Sequence, residues 1–564
     1  MYNTFMNPAR TRELALALTA FPSITDTDGE TGFAFFLRDV LAAWPYFKAN
    51  PDHITLIRTI DDPRERYALV AKVSTANNPA KTPAVILTGH YDVVSTVNYG
   101  RLEPWAFDPD ALAPQLVATL EAEAASSTAR GGNTGEAEQR ALADLRSGDF
   151  LPGRGLLDMK AGLAAGLALL EDRATEVMKG VAQTSALVFL TVPDEEGASH
   201  GMLSAVRSLP AILDAWNLEA LAAINLDAAV DQGEGAAGRA AFLGSVGKLH
   251  PFALFLGRPT HAGAPFDGIN PALPAAGFAR AVECAVDLFD QPTSANPPPP
   301  PTILYYRELR DHYDVTTPSS VFVSFNVLTH RDGPEAVLDS TSRQALDCLQ
   351  SAVSTLKARA EAFSRSTGQN FSPPDHEPRA VPWMELAQSA RAADQAAYEA
   401  AESKARSAAA RIPALAEFVS EAASMAGLEG PAVVVGLAPP YYPRAALDPV
   451  RDEKIITAVE VAVAAVAEST THSIAVCQYF PGISDMSFLN PVDDAEARSF
   501  AAVACPLGLD PLPAGFSCPV INIGPWGREY HQRLERVHVG YAFEVLPELL
   551  ERTVAEIFKK NVEN

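Results

Sequence analysis

The sequence predicts an α/β fold with a mostly parallel sheet, and two observations support this prediction. Short buried-strand patterns alternate with helical patterns over the first 243 residues and again towards the C-terminus. Several of these strand patterns are followed directly by an acidic or histidine side chain, as in the run AVILTGHYDVVST from Ala84 to Thr96. Because the carboxyl ends of parallel strands meet at one edge of a sheet, we expect a site along that edge.

The chain has 564 residues, which is too long for one hydrophobic core. We predict one α/β domain built from residues 1–243 and 431–564, with a smaller α+β lid domain inserted between them at 244–430. Residues 117–146 are rich in Ala, Glu, Ser, Gln and Gly, which indicates a surface insertion, part helix and part mobile loop. An Ala-, Glu- and Arg-rich stretch predicts a second, helical insertion within the lid.

Charge and cysteine content exclude several classes of partner. The formal net charge of -25 argues against nucleic acid and anionic membranes, because both bind basic surfaces. The five cysteines are scattered and have no CxxC spacing, which fits a reducing compartment and gives no thiolate metal cluster. No apolar run in the sequence is long enough to span a bilayer. We therefore expect a cytoplasmic protein.

His90 and Asp92 lie at the end of the strand pattern that begins near Ala84. Side chains two residues apart in a strand share a face, so this pair is a candidate metal ligand with its orienting group. A histidine and an aspartate at a strand end are more often a satisfied polar pair. The pair alone therefore leaves both interpretations open.

Three carboxylates follow in similar settings. Asp158 precedes an Ala- and Leu-rich helical pattern, where the usual role of an aspartate is to cap the helix. Glu195 and Glu196 come shortly after the buried-strand pattern Ala186 to Val192. Adjacent carboxylates raise one another's pKa unless a positive group lies among them, so they indicate a cation site, with a solvated acidic loop as the alternative.

Asp227 ends a further strand pattern, and His531 follows a glycine-containing loop near the C-terminus. With His90, Asp158 and Glu196, these residues form a set of two histidines and three carboxylates without sulfur. Such a set can hold two divalent ions if one carboxylate bridges them. Asp158, which is central in the set, is the candidate bridge.

Six motifs occur in a characteristic order: GHYDVV, GRGLLDMKAG, PDEEG, NLD, THAGAPFDGINP and GPWGREYH. This series resembles the M20 family of metallopeptidases and aminoacylases. The fuller motifs VPDEEG, PGISDMSF and NIGPWG are most similar to the subgroup associated with arginine utilisation. The resemblance implies a catalytic domain with an inserted lid, and hydrolysis of an amide bond in a small peptide or N-acyl amino acid. It also implies two divalent metal ions, with zinc expected first and cobalt or manganese as alternatives.

The resemblance implies a role for each matched residue. The metal ligands would be His90 and Asp227 at one ion, Glu196 and His531 at the other, and Asp158 between them. Asp92 would orient His90, and Glu195 would be the general base for the attacking water. His261, in THAGAPFDG, would stabilise the tetrahedral oxyanion, often in the active site of a partner within a homodimer formed through the lid.

The residues that would bind the substrate depart from the usual pattern of the family. Asn326, in a strand pattern, and Arg444, in PPYYPRAA, are the candidates, although a surface role explains the arginine equally well. Two other functions stay open. One is a non-catalytic member of the same fold that binds an amino acid or has a regulatory role, and the other is a single-metal enzyme that acts on a C–N bond other than an amide.

Overall fold

The computed structural model describes residues 7–62, 64–75, 81–129, 135–230, 238–286, 298–310, 314–373, 377–408, 411–439, 441–470, 472–490, 506–507 and 516–562. The chain divides into two compact units. The first unit comprises Met1–Ser245, Ala445–Pro491 and Pro513–Asn564, and the second comprises Val246–Arg444 and Val492–Leu512.

The α-helices and strands are numbered in chain order. The helices are α1 (Pro8–Thr19), α2 (Asp28–Ala42), α3 (Pro45–Ala49), α4 (Pro109–Ala129), α5 (Glu136–Ser147), α6 (Ala161–Met178), α7 (His200–Ala215), α8 (Ala272–Val282), α9 (Pro334–Thr367), α10 (Trp383–Ala393), α11 (Gln395–Arg406), α12 (Arg411–Met425), α13 (Glu453–Ser469) and α14 (Leu546–Val562). The strands are β1 (Ile54–Arg58), β2 (Tyr67–Val73), β3 (Thr82–His90), β4 (Phe150–Pro152), β5 (Ala186–Val192), β6 (Leu218–Asn225), β7 (Ala229–Val230), β8 (Ala240–Phe242), β9 (Gly244–Ser245), β10 (Gly247–Leu249), β11 (Pro251–Leu256), β12 (Thr302–Glu308), β13 (Ser320–Thr329), β14 (Arg379–Pro382), β15 (Ala432–Leu437), β16 (Ala445–Ala446), β17 (Ala475–Cys477), β18 (Val520–Asn522), β19 (Trp526–Arg528) and β20 (Arg536–His538).

The first unit is built on an eight-stranded sheet in the order β1-β2-β5-β3-β6-β18-β8-β17. The central strands β5, β3, β6 and β18 are parallel to their neighbours within that group. Antiparallel pairs join β2 to β5 and β18 to β8. The predicted α/β fold class is therefore confirmed, with antiparallel pairs outside the parallel centre.

Helix α6 packs against the parallel centre of this sheet because its sequence is small and apolar. Its first ten residues, Ala161 to Leu170, are all buried. A Cβ atom at Gly162 would lie 2.1 Å from the carbonyl oxygen of Leu226, so only glycine permits this close approach. The helix therefore lies directly against the end of β6, next to the segment that carries Asp227.

The second unit contains a smaller sheet in the order β10-β13-β11-β15-β14, with β12 paired to β13. Alternate residues of β11 point to opposite faces. Phe252 and Leu254 join the apolar cluster that includes helices α10 to α12, whereas Ala253 and Phe255 join the cluster that includes α8 and α9. The α+β character predicted for this region is what the described residues show.

The boundary between the units differs from the predicted one. We expected residue 431 to start the second part of the larger domain, but β15 pairs with β11 and belongs to the second unit, which continues to Arg444. The apolar run that forms β15 matches a buried strand of either domain. Sequence pattern alone therefore could not assign this strand to its sheet.

The predicted surface insertion at 117–146 forms most of a helical hairpin made from α4 and α5. This α4–α5 hairpin has an apolar cluster of its own, which includes Leu112, Leu116, Leu120 and Ala141. The predicted mobile loop falls largely on residues 130–134, which lie outside the described residues. The helical part of the prediction underestimated how much apolar surface this segment buries.

Across the parts of the chain that the structure describes, every helix is either too short or too polar to cross a lipid bilayer.

Candidate metal centre

The predicted site residues of the first unit follow neighbouring strands of its sheet. His90 is the last residue of β3, and Asp227 lies two residues beyond the end of β6. Glu195 and Glu196 follow β5 after a short connection. Because β5, β3 and β6 are parallel, these side chains emerge at the same edge of the sheet.

One group of possible ligands consists of His90, Asp158 and Asp227, whose ligand atoms all lie within 4.8 Å of one another. Nε2 of His90 lies 3.1 Å from Oδ1 of Asp158. His90 and Asp227 are buried, with only 2% and 5% of their surface exposed. We call this set the strand-end group.

A second group consists of Asp158, Glu196 and His531, also within 4.8 Å of one another. Nε2 of His531 lies 3.1 Å from Oδ2 of Asp158 and 2.8 Å from Oε1 of Glu196. The side chain of His531 is 41% exposed, and its backbone has φ of 63°. We call this set the loop group; the two oxygens of Asp158 face one group each.

Asp92 connects His90 to residues 194–196, which we call the acidic loop. Nδ1 of His90 lies 2.9 Å from the backbone carbonyl oxygen of Asp92 and 3.6 Å from its Oδ1. The carboxylate accepts hydrogen bonds from the backbone N–H groups of Glu195 and Glu196, both at 3.1 Å. Asp92 therefore orients His90 mainly through its carbonyl, with Nε2 left to face the site, while its carboxylate holds the acidic loop.

Glu195 lies beside the strand-end group without belonging to either set of ligands. Its Oε2 is 4.0 Å from Nε2 of His90. Burial raises the pKa of Glu195 well above its usual range; the charge of His90 opposes this rise, and the carboxylates of Glu196 and Asp485 add to it. A buried carboxyl group with a raised pKa is a stronger base than a solvated one, so it can accept a proton and later return it.

The remaining carboxylates show how much negative charge is concentrated here. Burial, followed by the charge of Asp158, raises the pKa of Asp227 to about 7. Burial acts to raise the pKa of Asp158 as well, but hydrogen bonds from His531 and His90 outweigh it and hold that pKa well below its usual range. Crowded carboxylates with two imidazoles and no sulfur suit divalent ions, since positive charge relieves their repulsion. The residues present therefore fit a pair of metal ions.

Comparisons with known proteins place this chain in a family. A family model described as peptidase family M20/M25/M40 matches residues 136–504. A Bacillus subtilis protein, the uncharacterized protein YqjN, is 30% identical over 97% of this chain and 96% of its own length. The chain belongs to peptidase family M20/M25/M40. It is thus an M20-type metallohydrolase, and divalent metal ions are its expected cofactors.

A second curated protein matches this M20 enzyme over nearly its full length, and solved structures share its fold. Protein RocB of Bacillus subtilis is 26% identical over 98% of this chain and 96% of its own length. A tripeptidase structure from Staphylococcus aureus aligns with a TM-score of 0.51 at 12% identity, over 99% of this chain and 100% of that one. Human carnosine dipeptidase 1 aligns with a TM-score of 0.50 at 10% identity, over 98% and 96% of the two chains. At this level of identity, the two structures show a shared fold.

Asn522 supports Asp227 and was not among the predicted site residues of this M20 enzyme. Its side-chain N–H donates to the carbonyl of Asp227 at 2.9 Å, and its Oδ1 accepts from the Asp227 N–H at 3.2 Å. The following loop comes so close that a Cβ atom at Gly524 would lie 1.9 Å from the same carbonyl. A small glycine-containing loop after a strand is the sequence signal that indicates such a contact.

A buried ion-pair network, which no local sequence pattern indicated, anchors the acidic loop. Oδ1 of Asp194 lies 2.9 Å from Nη1 of Arg66, and its Oδ2 lies 2.5 Å from Nδ1 of His200. Arg66 also pairs with the buried carboxylates of Glu30 and Asp62. Both carboxylate oxygens of Asp194 are therefore paired within this network, and Glu195 and Glu196 are the acidic residues of the loop that face the site.

Asp485 is a further buried carboxylate near the centre, in the motif PGISDMSF. Burial raises its pKa to about 8. The motif contributed to the family resemblance, but its aspartate was not singled out. An acidic residue among small side chains is a weak signal, because the same pattern describes many surface turns.

The other predicted residues lie in the second unit. His261 is exposed, and its Nδ1 accepts a hydrogen bond from the Gly263 N–H at 3.0 Å. Oδ1 of Asn326 accepts from the N–H of Thr302 at 3.0 Å. Arg444 donates from Nη1 to the backbone carbonyls of His330 and Arg331. Asn326 and Arg444 thus both contact backbone groups of their own unit.

Proposed function

We propose that this M20 enzyme hydrolyses an amide bond in a small peptide or an N-acyl amino acid, using water placed between two divalent ions. The observation that supports this proposal most strongly is the position of Asp158. Its Oδ1 lies 3.1 Å from His90 and its Oδ2 lies 3.1 Å from His531, so one carboxylate serves two groups of ligands at once. A binding protein needs no such shared carboxylate.

The strand-end group would hold one ion through His90 and Asp227, the loop group would hold the other through Glu196 and His531, and Asp158 would bridge them. When bound, such ions polarise the amide carbonyl and lower the pKa of water. The chain's contribution is to set ligand directions. Asp92 keeps the Nε2 atom of His90 pointed into the centre, and Asn522 holds the backbone that carries Asp227.

Glu195 would act as the general base. Its raised pKa lets it take a proton from the attacking water and then deliver that proton to the leaving amine nitrogen as the C–N bond breaks. Its backbone N–H is held by Asp92, which limits the positions that its carboxylate can reach. Glu196, the next residue, faces His531 instead, and the two glutamates therefore have separate roles.

His261 remains our proposal for stabilising the oxyanion. Because its Nδ1 accepts a hydrogen bond from Gly263, the neutral ring carries its proton on Nε2. That atom is the donor that a developing oxyanion requires. Asn326 and Arg444 remain substrate-binding proposals, and substitutions there are expected to change KM more than kcat.

The test is a substrate panel with metal-loaded and chelated protein. The panel contains dipeptides and N-acetyl, N-formyl and N-succinyl amino acids, with arginine and ornithine derivatives included because of the subgroup resemblance. We expect one class to be cleaved, with activity lost in chelator and restored by zinc, cobalt or manganese. Absence of turnover across the panel, with two ions bound, would favour the amino-acid-binding alternative. One ion per chain at saturation would favour the single-metal alternative.

A further inference from the structure

The α4–α5 hairpin lies against the segment that carries His531. We call this segment, residues 526–538 with strands β19 and β20 and the loop between them, the His531 hairpin. We infer that the α4–α5 hairpin positions His531 and thereby sets the metal affinity of the loop group. This inference rests on the proposed function, since it takes His531 to be a metal ligand.

The His531 hairpin requires support from outside because its loop is unusual. Both Glu529 and His531 have positive φ, at 57° and 63°, a region that L side chains adopt only at some cost. The side chain of His531 is itself 41% exposed, so little packing holds it directly. The Asn98 side chain donates a hydrogen bond to the His531 carbonyl at 2.8 Å, and the rest of the support for the loop comes from contacts made by the residues on either side.

Asp144 on α5 joins the two strands of the His531 hairpin. Its carboxylate accepts from Nη1 of Arg528 at 3.0 and 2.8 Å, and from Nε and Nη2 of Arg536 at 2.9 and 2.6 Å. Arg528 ends β19 and Arg536 begins β20, so one carboxylate links both ends of the loop. The side chain of Asp144 is only 13% exposed, which makes these charge-assisted bonds stronger than surface pairs.

Two further ion pairs join the α4–α5 hairpin to the loop between the strands, and a third lies within the His531 hairpin. Glu529 accepts from Arg140 of α5 at 3.2 Å and from Arg536 at 2.7 Å. Arg533, two residues after His531, donates to both oxygens of Glu123 on α4 at 2.8 and 2.7 Å. Both helices of the α4–α5 hairpin therefore form ion pairs with the loop.

Apolar packing acts at the same place. Leu534, three residues after His531, is buried in the cluster formed by Leu112, Leu116 and Leu120 of α4 and Ala141 of α5. The loop is thus anchored in the core of the α4–α5 hairpin. None of these contacts involves His90 or Asp227, so the strand-end group does not share this support.

The experiment is a calorimetric titration of chelator-treated full-length protein with zinc, for wild type and Asp144→Asn. Wild type is expected to bind two ions. In Asp144→Asn we expect the first ion to bind as in wild type and the second to bind about 10- to 100-fold more weakly, the usual effect of removing a group that orients a ligand. Asp144→Glu, which keeps the charge, is expected to recover part of the loss.

Glu121→Gln is the matched control. Glu121 pairs with Arg146 at 2.6 Å, so its ion pair joins α4 to α5 rather than to the His531 hairpin. The Glu121→Gln substitution makes the same change of charge in the same hairpin, and the affinities for the first and second ions should both stay at the wild-type value. If Asp144→Asn does not fold, the same titration is made with Glu123→Gln. In that variant the second ion should again bind more weakly than in wild type, by a smaller factor, and the first ion should bind as in wild type.

Three results would reject the inference. Unchanged binding of both ions in folded Asp144→Asn would show that the contacts do not position His531. An equal loss of both ions would show a general structural role. Wild type binding fewer than two ions would reject the proposed function itself, so the two failures are distinguishable.

Discussion

The strand-end group and the loop group share Asp158 but are built in different ways. His90 and Asp227 follow strands in the parallel centre of the sheet, and both are buried. Glu196 and His531 lie in loops, and His531 is partly exposed with a left-handed backbone. The sheet brings His90 and Asp227 to one edge, whereas we infer that His531 depends on side-chain contacts from the α4–α5 hairpin.

Removing the shared carboxylate is the largest perturbation, because it breaks both groups together. In Asp158→Ala, each group loses a ligand and the negative charge between the two histidines disappears. We expect hydrolysis to fall to the background rate and the protein to retain at most one weakly bound ion, as measured by elemental analysis after gel filtration. Two tightly held ions in this variant would contradict the bridging role.

Glu195→Gln separates proton transfer from metal binding. Since Glu195 belongs to neither group, both ions should remain bound. Turnover should fall by about two to four orders of magnitude, the usual contribution of a general base. Steady-state kinetics and metal content measured on one sample provide the test, and near-normal kcat with two ions would exclude Glu195 as the base.

The two histidines are expected to differ in what they contribute to the fold. In metal-free protein, His90→Ala removes a buried ring and its hydrogen bond to the Asp92 carbonyl, at a cost of about 1–3 kcal/mol. His531→Ala removes an ion-pair partner of Asp158 and Glu196, but because its own side chain is 41% exposed and screened by solvent, the cost should be smaller, about 1 kcal/mol or less. Thermal unfolding in chelator compares them. Equal destabilisation by His90→Ala and His531→Ala would show that the two histidines contribute alike to the fold, against the difference proposed between the strand-end group and the loop group.

The stability of the metal-free protein should depend on pH because Asp485, a buried carboxyl group near the strand-end group, has a raised pKa. Burial raises the pKa of Asp485 from 3.8 to about 8, so the folded protein keeps this proton while the unfolded chain loses it between these pH values. Its contribution to stability therefore falls as pH rises through that window. Asp485→Asn cannot ionise, so in chelator its melting temperature relative to wild type should be higher at pH 8 than at pH 5. An equal difference at both pH values would argue against this buried charge.

The sequence predicted the α/β fold and the residues that the structure brings together at the sheet edge, because strand patterns and short motifs are local signals. His90 lies at the end of one buried strand and Asp227 just after another, and the ends of such strands can be recognised from the sequence alone. The contacts that orient the site were not predicted. Asn522 meets Asp227, and Asp144 meets Arg536, across several hundred residues, and no local pattern records such a partner.

The second unit shows the same limit. Strand β15 was assigned to the larger domain because its apolar pattern carries no information about which sheet it joins. In the first unit, residues 117–146 were predicted from composition to be a surface insertion, although Leu120 and Ala141 within this range are buried in the apolar cluster of the α4–α5 hairpin. Composition averages over a segment and therefore misses a few well-placed apolar and charged side chains.

The most direct test of the account is to titrate metal-free protein with zinc while measuring hydrolysis of the substrate found in the panel. We predict little activity up to one ion per chain and a steep rise as the second ion binds, because Asp158 and His531 must both be engaged. Activity that is complete at one ion per chain, with no change on adding the second, would contradict the shared two-ion centre.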